Sequence, residues 1–151
     1  MGMTYAKSFI NAHIVDNDHL LILEKSVEKA QQLKDLNIGV VYGEPDEYIK
    51  SADLIVLAVK PQDFIALSTK IQSYIDDQQV VLSIMAGVKL ETISEALNIT
   101  KVIRAMPNLP AQIGSGMTVF NASSQVTRIE LVTVQNLINA TGKSIYVEKE
   151  E

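Results

Sequence analysis

Three short segments of this chain place small, rigid or polar residues directly after apolar runs, where a ligand could approach the backbone. The first is "AVKP", which consists of Ala58, Val59, Lys60 and Pro61. It covers the last three residues of the run "DLIVLAVK" and the proline that follows. The second is the pair Ala86-Gly87 after "QVVLSIM", and the third is the pair Pro107-Asn108 after "KVIRAM". Open α/β sheets bind ligands at the carboxyl ends of their strands. The three segments are therefore candidate ligand contacts if the apolar runs are parallel strands.

Each segment also has a purely structural interpretation. Pro61 suits the first turn of a helix, where its missing N–H does no harm, and Lys60 would then be solvated. Gly87 suits an ordinary turn. Pro107 and Pro110 predict a stiff loop just past the strand, in which Asn108 offers a donor and acceptors. The residues alone leave both interpretations open.

The rest of the chain alternates between two hydrophobic patterns. Helical spacing predicts helices over residues 3–14, 27–36, 62–75, 90–97 and 125–142, with a brief one over 44–52. Apolar runs predict strands over residues 20–25, 38–43, 53–60, 79–85, 101–106, 117–122 and 144–150. Alternating strands and helices, with β-branched runs that lack polar alternation, are typical of a mainly parallel sheet covered on both faces. The predicted fold class is a doubly wound α/β sheet in one domain, residues 1–151.

Composition excludes several classes of function. The net charge of −5 and the pI near 5.0 argue against nucleic acid or an anionic membrane as a partner. The absence of cysteine removes disulfides, thiolate metal sites and a cysteine nucleophile, and it fits the cytoplasm. His13 and His19 have no carboxylate or serine at motif spacing, so we expect structural or solvent-facing roles and no metal site.

A further candidate contact follows the run "LLILEK". Glu24, Lys25 and Ser26 occupy the position at which dinucleotide-binding folds contact the adenosine ribose. A carboxylate there binds ribose hydroxyls, whereas lysine or serine favours a 2′-phosphate, so the choice between NADP and NAD stays open. The structural alternative is that Ser26 caps a helix between solvated neighbours.

Taken together, "AVKPQ", "SIMAGVKLETI" and "VIRAMPNLPAQIGSGMT" resemble the N-terminal dinucleotide-binding domain of pyrroline-5-carboxylate reductase, over essentially the whole chain. The resemblance implies a Rossmann-like fold, NADP or NAD as cofactor, and reduction of 1-pyrroline-5-carboxylate to proline. It implies cofactor contacts at Ala58, Val59, Lys60, Pro61, Ala86, Gly87 and Asn108, with the nicotinamide near Met106, Pro107 and Asn108.

The chain departs from that family's pattern at both ends. The family begins with a strand and a Gly-x-Gly-x-Met-Gly loop, whose amides hold the pyrophosphate, and here Met1-Gly2 matches only the last two positions. The absent strand would lie between the runs 20–25 and 53–60. The family's helical dimerisation domain would begin where "SIYVEKEE" ends. We therefore expect a shortened version of a longer sequence, inactive by itself, and assign no catalytic residue.

Two other functions remain open from the sequence. One is a non-catalytic Rossmann-like protein that acts by dimerisation, as a homo-oligomer, or by ligand sensing. The other is a related reductase that acts on a β-hydroxyacid or uses a deazaflavin cofactor, which "AVKPQ" and "RAMPN" make the weaker alternative. Fold alone does not separate these functions.

Overall fold

A computed structural model describes residues 20–24, 26–108, 117–139 and 143–146, which fall into two compact units, Met1–Asp46 and Glu47–Glu151. The helix predicted over residues 3–14 lies outside the described residues, as do Met1, Gly2, Lys25 and the two histidines. Every predicted strand has a counterpart in the structure. The described strands form two sheets.

The first unit contains a small parallel βαβ arrangement. Strand β1 (Leu21–Leu23) pairs with β2 (Val40–Tyr42), and helix α1 (Val27–Asp35) connects them. The turn into β2 needs Gly39, because its φ is +65° and a Cβ there would lie 2.6 Å from the Leu20 carbonyl oxygen. The close approach of this turn to β1 therefore requires a residue without a side chain.

The second unit contains a five-stranded sheet in the order β3-β4-β5-β6-β7. Its strands are β3 (Leu54–Leu57), β4 (Val80–Ser83), β5 (Val102–Asn108), β6 (Met117–Ala122) and β7 (Lys143–Tyr146). All neighbouring pairs are parallel except β5 and β6. The mainly parallel α/β class predicted from the sequence is confirmed.

Two helices cover one face of this sheet. Helix α2 (Pro61–Ile71) follows β3 and helix α3 (Leu90–Leu97) follows β4. Their apolar faces pack onto one buried cluster with strand residues, formed by Leu57, Phe64, Ile71, Val81, Met85, Ile93, Leu97 and Val102. Helix α4 (Arg128–Asn139) contacts β7. Pro61 stands at the first helical turn, so the structural interpretation of that residue is confirmed.

Several predicted boundaries move. The helix predicted to run to residue 75 ends at Ile71 and continues as a 3-10 helix, Gln72–Tyr74, and the brief helix is a 3-10 helix, Glu47–Ser51. Four strands, β1 to β4, are shorter at both ends than their apolar runs, because the flanking residues lie in turns and loops outside the ladder. One strand is longer than predicted: β5 continues two residues past Met106, through Pro107 and Asn108.

A buried glutamine fastens the start of β4 to the segment before β3. The side chain of Gln79 is 3% exposed. Its Nε2 donates to the carbonyl oxygens of Ile49, at 2.8 Å, and Ala52, at 2.7 Å, and its Oε1 accepts from the Asp76 N–H at 3.0 Å. One buried side chain therefore makes hydrogen bonds to three backbone groups, and the Ile49 carbonyl oxygen also accepts from the Ala52 N–H at 3.3 Å.

A capping box joins the start of α4 to the start of β5. Thr127 Oγ1 accepts from the Glu130 N–H, and Glu130 Oε1 accepts from the Thr127 N–H. The other carboxylate oxygen lies 3.0 Å from Lys101 Nζ. Burial raises the pKa of Glu130, but the hydrogen bonds from Thr127 and Lys101 and the charge of Lys101 outweigh it and lower that pKa below its ordinary value.

We predict that Gln79→Ala lowers the free energy of unfolding by about 1–3 kcal/mol, because it removes the three hydrogen bonds of a buried side chain. Urea unfolding followed by circular dichroism measures the loss. The matched control is Gln78→Ala, since the neighbouring Gln78 is exposed and we expect a change within about 0.5 kcal/mol. Equal effects of the two substitutions would contradict the role given to Gln79.

We predict that Glu130→Gln lowers the free energy of unfolding at pH 7 by about 1 kcal/mol, because it removes a partly buried ion pair. The folded-state pKa of Glu130 is lowered, so the stabilisation is complete above the unfolded value of 4.5 and disappears as the pH falls through the folded value. Unfolding curves at several pH values test this expectation. The control is Glu95→Gln, which substitutes an exposed glutamate. If Glu130→Gln is still less stable than the unsubstituted protein at pH 2, the proposed pH dependence is refuted.

Candidate functional site

The register of three parallel strands brings the candidate segments to one edge of the five-stranded sheet. Leu57 pairs with Ser83, and Ser83 pairs with Arg104. The chain leaves β3 and β4 directly after this row, at Ala58 and at Ile84, whose N–H donates to the Leu57 carbonyl oxygen at 3.0 Å. The loops "AVKP" and "MAG" are therefore neighbours at the carboxyl edge.

The backbone at this edge is open. Ala58, Ala86 and Gly87 are exposed, although the residues just before them, Leu57 and Met85, are buried. Gly87 adopts φ +74°, and nothing lies within 4 Å of the position that a Cβ would occupy. Small side chains on both loops leave a surface on which a flat ligand could lie against the main chain.

The two helices that begin at this edge give it a positive electrostatic character. Lys60 and Lys89 are the N-cap residues of α2 and α3, and neither makes a side-chain capping hydrogen bond. Helix N-termini carry partial positive charge and bind anions. Asp63 and Glu91 in the first turns offset part of that charge. The edge therefore suits a ligand with anionic groups, such as phosphates.

Strand β5 extends beyond the ends of β3 and β4. From Ala105 to Asn108 it pairs, among the described strands, with β6 alone. Asn108 lies four residues past the last β4 partner, which at the usual rise is about 13 Å. The prediction of a stiff loop at Pro107 and Asn108 is therefore wrong. Both residues belong to the strand, because a proline is tolerated where its nitrogen faces an unpaired edge.

A row of buried polar side chains lies at the end of this sheet, and the sequence analysis missed it. Ser83 is 0%, Arg104 6% and Asn121 2% exposed, and register pairing places them side by side on one face. Asn121 Oδ1 has no hydrogen-bond partner within the described part of the chain. The sequence feature that could have revealed this row is Arg104, a charged residue inside the apolar run "VIRAM". A buried arginine in a strand needs polar or charged neighbours.

The predicted ribose contact lies in the first unit. The Ser26 N–H donates to Glu24 Oε1 at 3.0 Å, and Ser26 Oγ accepts from the Lys29 N–H as the cap of α1. The capping interpretation of Ser26 is therefore confirmed. Contact of these two residues with a ribose stays a prediction, as do the other cofactor contacts.

Two negative findings apply to the described residues only. Groups of three or more histidine, aspartate or glutamate side chains able to hold a metal ion were not found there. Within the same residues, the helices are too short and too polar to cross a membrane.

Comparison with protein families gives a match over more than half of the chain. The model of the family described as NADP oxidoreductase, coenzyme F420-dependent, matches residues 1–87. A pyrroline-5-carboxylate reductase from Staphylococcus saprophyticus is 34% identical over 143 residues, which are 93% of this chain and 53% of that protein. The chain spans about half the length of the curated relatives that it matches.

Solved structures share the fold. A pyrroline-5-carboxylate reductase from Coxiella burnetii superposes with a TM-score of 0.89 at 23% identity, over 99% of this chain and 56% of the other. The Plasmodium falciparum pyrroline carboxylate reductase, solved with NADP bound, gives 0.81 at 23% identity, over 98% and 54%. The Rossmann-like fold and the resemblance predicted from the sequence are confirmed.

We predict that Gly87→Ala lowers the free energy of unfolding by about 1 kcal/mol, because alanine is strained at positive φ even where space is free. The control is Gly43→Ala, which also meets nothing within 4 Å but is not held at positive φ. Thermal unfolding of both variants measures the difference. A Gly87→Ala variant as stable as the control would refute the requirement for glycine.

Proposed function

This chain belongs to the family described as NADP oxidoreductase, coenzyme F420-dependent, and we propose that it is the cofactor-binding part of a pyrroline-5-carboxylate-reductase-like oxidoreductase. The observation that carries the proposal is the open carboxyl edge, where exposed Ala58, Ala86 and Gly87 lie between two uncapped helix N-termini. The relatives named pyrroline-5-carboxylate reductase support this function over one that uses a deazaflavin.

The residues at this edge fit NADP or NAD. Ala58, Val59, Ala86 and Gly87 would hold the flat parts of the cofactor against the main chain, and Met106, Pro107 and Asn108 would flank the nicotinamide. Lys60, at the start of α2, would attract the phosphates. Pro61 fixes that first turn.

In the first unit, the ribose and its phosphate would meet Glu24, Lys25 and Ser26, with Met1 and Gly2 at the pyrophosphate. Because Glu24 already accepts the Ser26 N–H through one oxygen, its other oxygen is available to a ribose hydroxyl. Lys25 would favour a 2′-phosphate.

Reduced NAD(P) supplies a hydride, which would add to the imine carbon of 1-pyrroline-5-carboxylate while the imine nitrogen gains a proton, giving proline. The part of this chain is to bind and orient the cofactor and to exclude water from one side of it. The residues described carry no group that we assign as the proton donor.

We also propose a domain organisation, an oligomeric state and a cellular location for the protein. Residues 1–151 form one dinucleotide-binding domain, the protein acts as a homo-oligomer, and it works in the cytoplasm without nucleic acid or membrane as partner. The absence of cysteine and the net charge of −5 support the last statement.

We predict that NADPH or NADH raises the melting temperature of the 151-residue protein, because a ligand that binds only the native state stabilises it by about 2.7 kcal/mol at 100 times Kd. Ala58→Glu should abolish the rise, since it puts bulk and negative charge at the exposed edge. The control is Ala66→Glu, an exposed alanine within α2. Differential scanning fluorimetry with each cofactor measures the shifts and reports the preference.

Absence of a shift with either cofactor in the unsubstituted protein would overturn the proposed function. An equal shift in Ala58→Glu and Ala66→Glu would place the cofactor elsewhere than at this edge.

A further inference from the structure

The loop between β4 and α3 is anchored in the core on both sides of an exposed pair of residues. The side chains of Met85 and Val88 are 2% and 9% exposed. Both belong to the buried cluster that α2 and α3 form with the strands. Between these two anchors, Ala86 and Gly87 are exposed. The exposed pair therefore projects from a fixed base at the carboxyl edge.

This pair offers main-chain groups to a ligand, because its side chains are a methyl group and a hydrogen atom. Within the described part of the chain, the N–H groups of Ala86 and Gly87 make no hydrogen bond. They are therefore available to a ligand that brings acceptor atoms. Where these two N–H groups lie depends on the path that the chain takes as it leaves β4.

The hydroxyl group of Ser83, the last residue of β4, sets that path. The ladder between β3 and β4 ends where the Ile84 N–H donates to the Leu57 carbonyl oxygen at 3.0 Å. The next N–H, that of Met85, donates to Ser83 Oγ at 3.2 Å. Ser83 is 0% exposed, so this bond is made in the interior. A serine oxygen that accepts from the N–H two residues further on closes a tight turn. Ser83 therefore holds the first peptide group beyond the ladder.

We propose that Ser83 is a positioning residue for cofactor binding, because its hydroxyl group holds the turn that presents the N–H groups of Ala86 and Gly87 to the ligand. The inference rests on the proposed function, since it takes NADP or NAD to lie against this loop. Ser83 acts through the loop and does not touch the cofactor, because its own side chain is fully buried.

The effect of losing the hydroxyl group follows from the burial of Met85. Without an acceptor, the buried N–H is left unsatisfied, and the loop gains free energy by moving to conformations in which that N–H reaches another acceptor or water. The fraction of molecules in the binding conformation then falls. The apparent affinity falls by the same fraction.

A second buried serine in the same unit provides a matched control. Ser68, within α2, is 2% exposed, and its Oγ donates to the Ile65 carbonyl oxygen at 2.7 Å. Both serines carry a buried, hydrogen-bonded hydroxyl group, so we expect both alanine variants to be less stable than the unsubstituted protein. Ser68 lies inside a helix and directs no loop at the carboxyl edge.

The experiment measures the affinities of NADPH and NADH by isothermal titration calorimetry for the unsubstituted 151-residue protein, Ser83→Ala and Ser68→Ala. We expect Ser83→Ala to bind the preferred cofactor about tenfold more weakly, the worth of one hydrogen bond. Ser68→Ala should stay within about twofold of the unsubstituted protein, since distant sites act independently. Thermal unfolding of each variant shows whether affinity follows stability alone.

A second pair of variants tests the hydroxyl group at constant shape. Ser83→Thr and Ser83→Val both add a methyl group to a buried position, so any crowding is common to the two. Only threonine keeps an oxygen that can accept from the Met85 N–H. We expect Ser83→Thr to bind the cofactor about tenfold more tightly than Ser83→Val.

Equal affinities of Ser83→Ala and Ser68→Ala would overturn this inference and leave the proposed function standing. So would equal affinities of Ser83→Thr and Ser83→Val. If Ser83→Ala does not fold, the threonine and valine variants decide the matter, and if those do not fold, the alanine variants decide it. Failure of the unsubstituted protein to bind either cofactor would overturn the proposed function, and the inference with it.

Discussion

The parallel register of β3, β4 and β5 is the constraint on which the rest of the second unit depends. Parallel strands need a crossover connection, and here each crossover is a helix that begins at the carboxyl edge and returns to the amino edge. The row Leu57, Ser83 and Arg104 ends the shared ladder at one level. The loops after β3 and β4, the N-termini of α2 and α3 and the last residues of β5 consequently lie at the carboxyl edge of the sheet.

The two edges of this sheet carry different chemistry. Side chains that fasten one element to another lie at the amino edge, where Gln79 holds the segment before β3 and Lys101 meets Glu130. Ser123 Oγ also donates there to the Thr100 carbonyl oxygen at 2.5 Å. The opposite edge has small exposed residues and positive φ at Gly87. The side-chain hydrogen bonds of Gln79, Lys101 and Ser123 therefore lie away from the exposed residues of the carboxyl edge.

Strand β5 differs from β3 and β4 because one of its neighbours, β6, is antiparallel to it. Because β6 pairs with β5 along its whole length, β5 is supported where β3 and β4 have already ended. Proline would interrupt a central strand, yet Pro107 breaks no ladder, since its nitrogen faces the side on which no strand lies among the described residues. The buried row that includes Arg104 and Asn121 lies directly before this extension.

Much of this protein was determined by its sequence. Apolar β-branched runs separated by helical periods specify strands and helices wherever they lie, because both patterns are local, and the motifs around Ala58, Gly87 and Asn108 identified the family. Tertiary structure alone decided where the strands end and which way β5 faces. An apolar run does not show where its last partner stops, so the sequence placed Asn108 in a loop. Only the pairing of β5 with β6, in which Pro107 lies opposite Thr118, determines that Pro107 continues a strand.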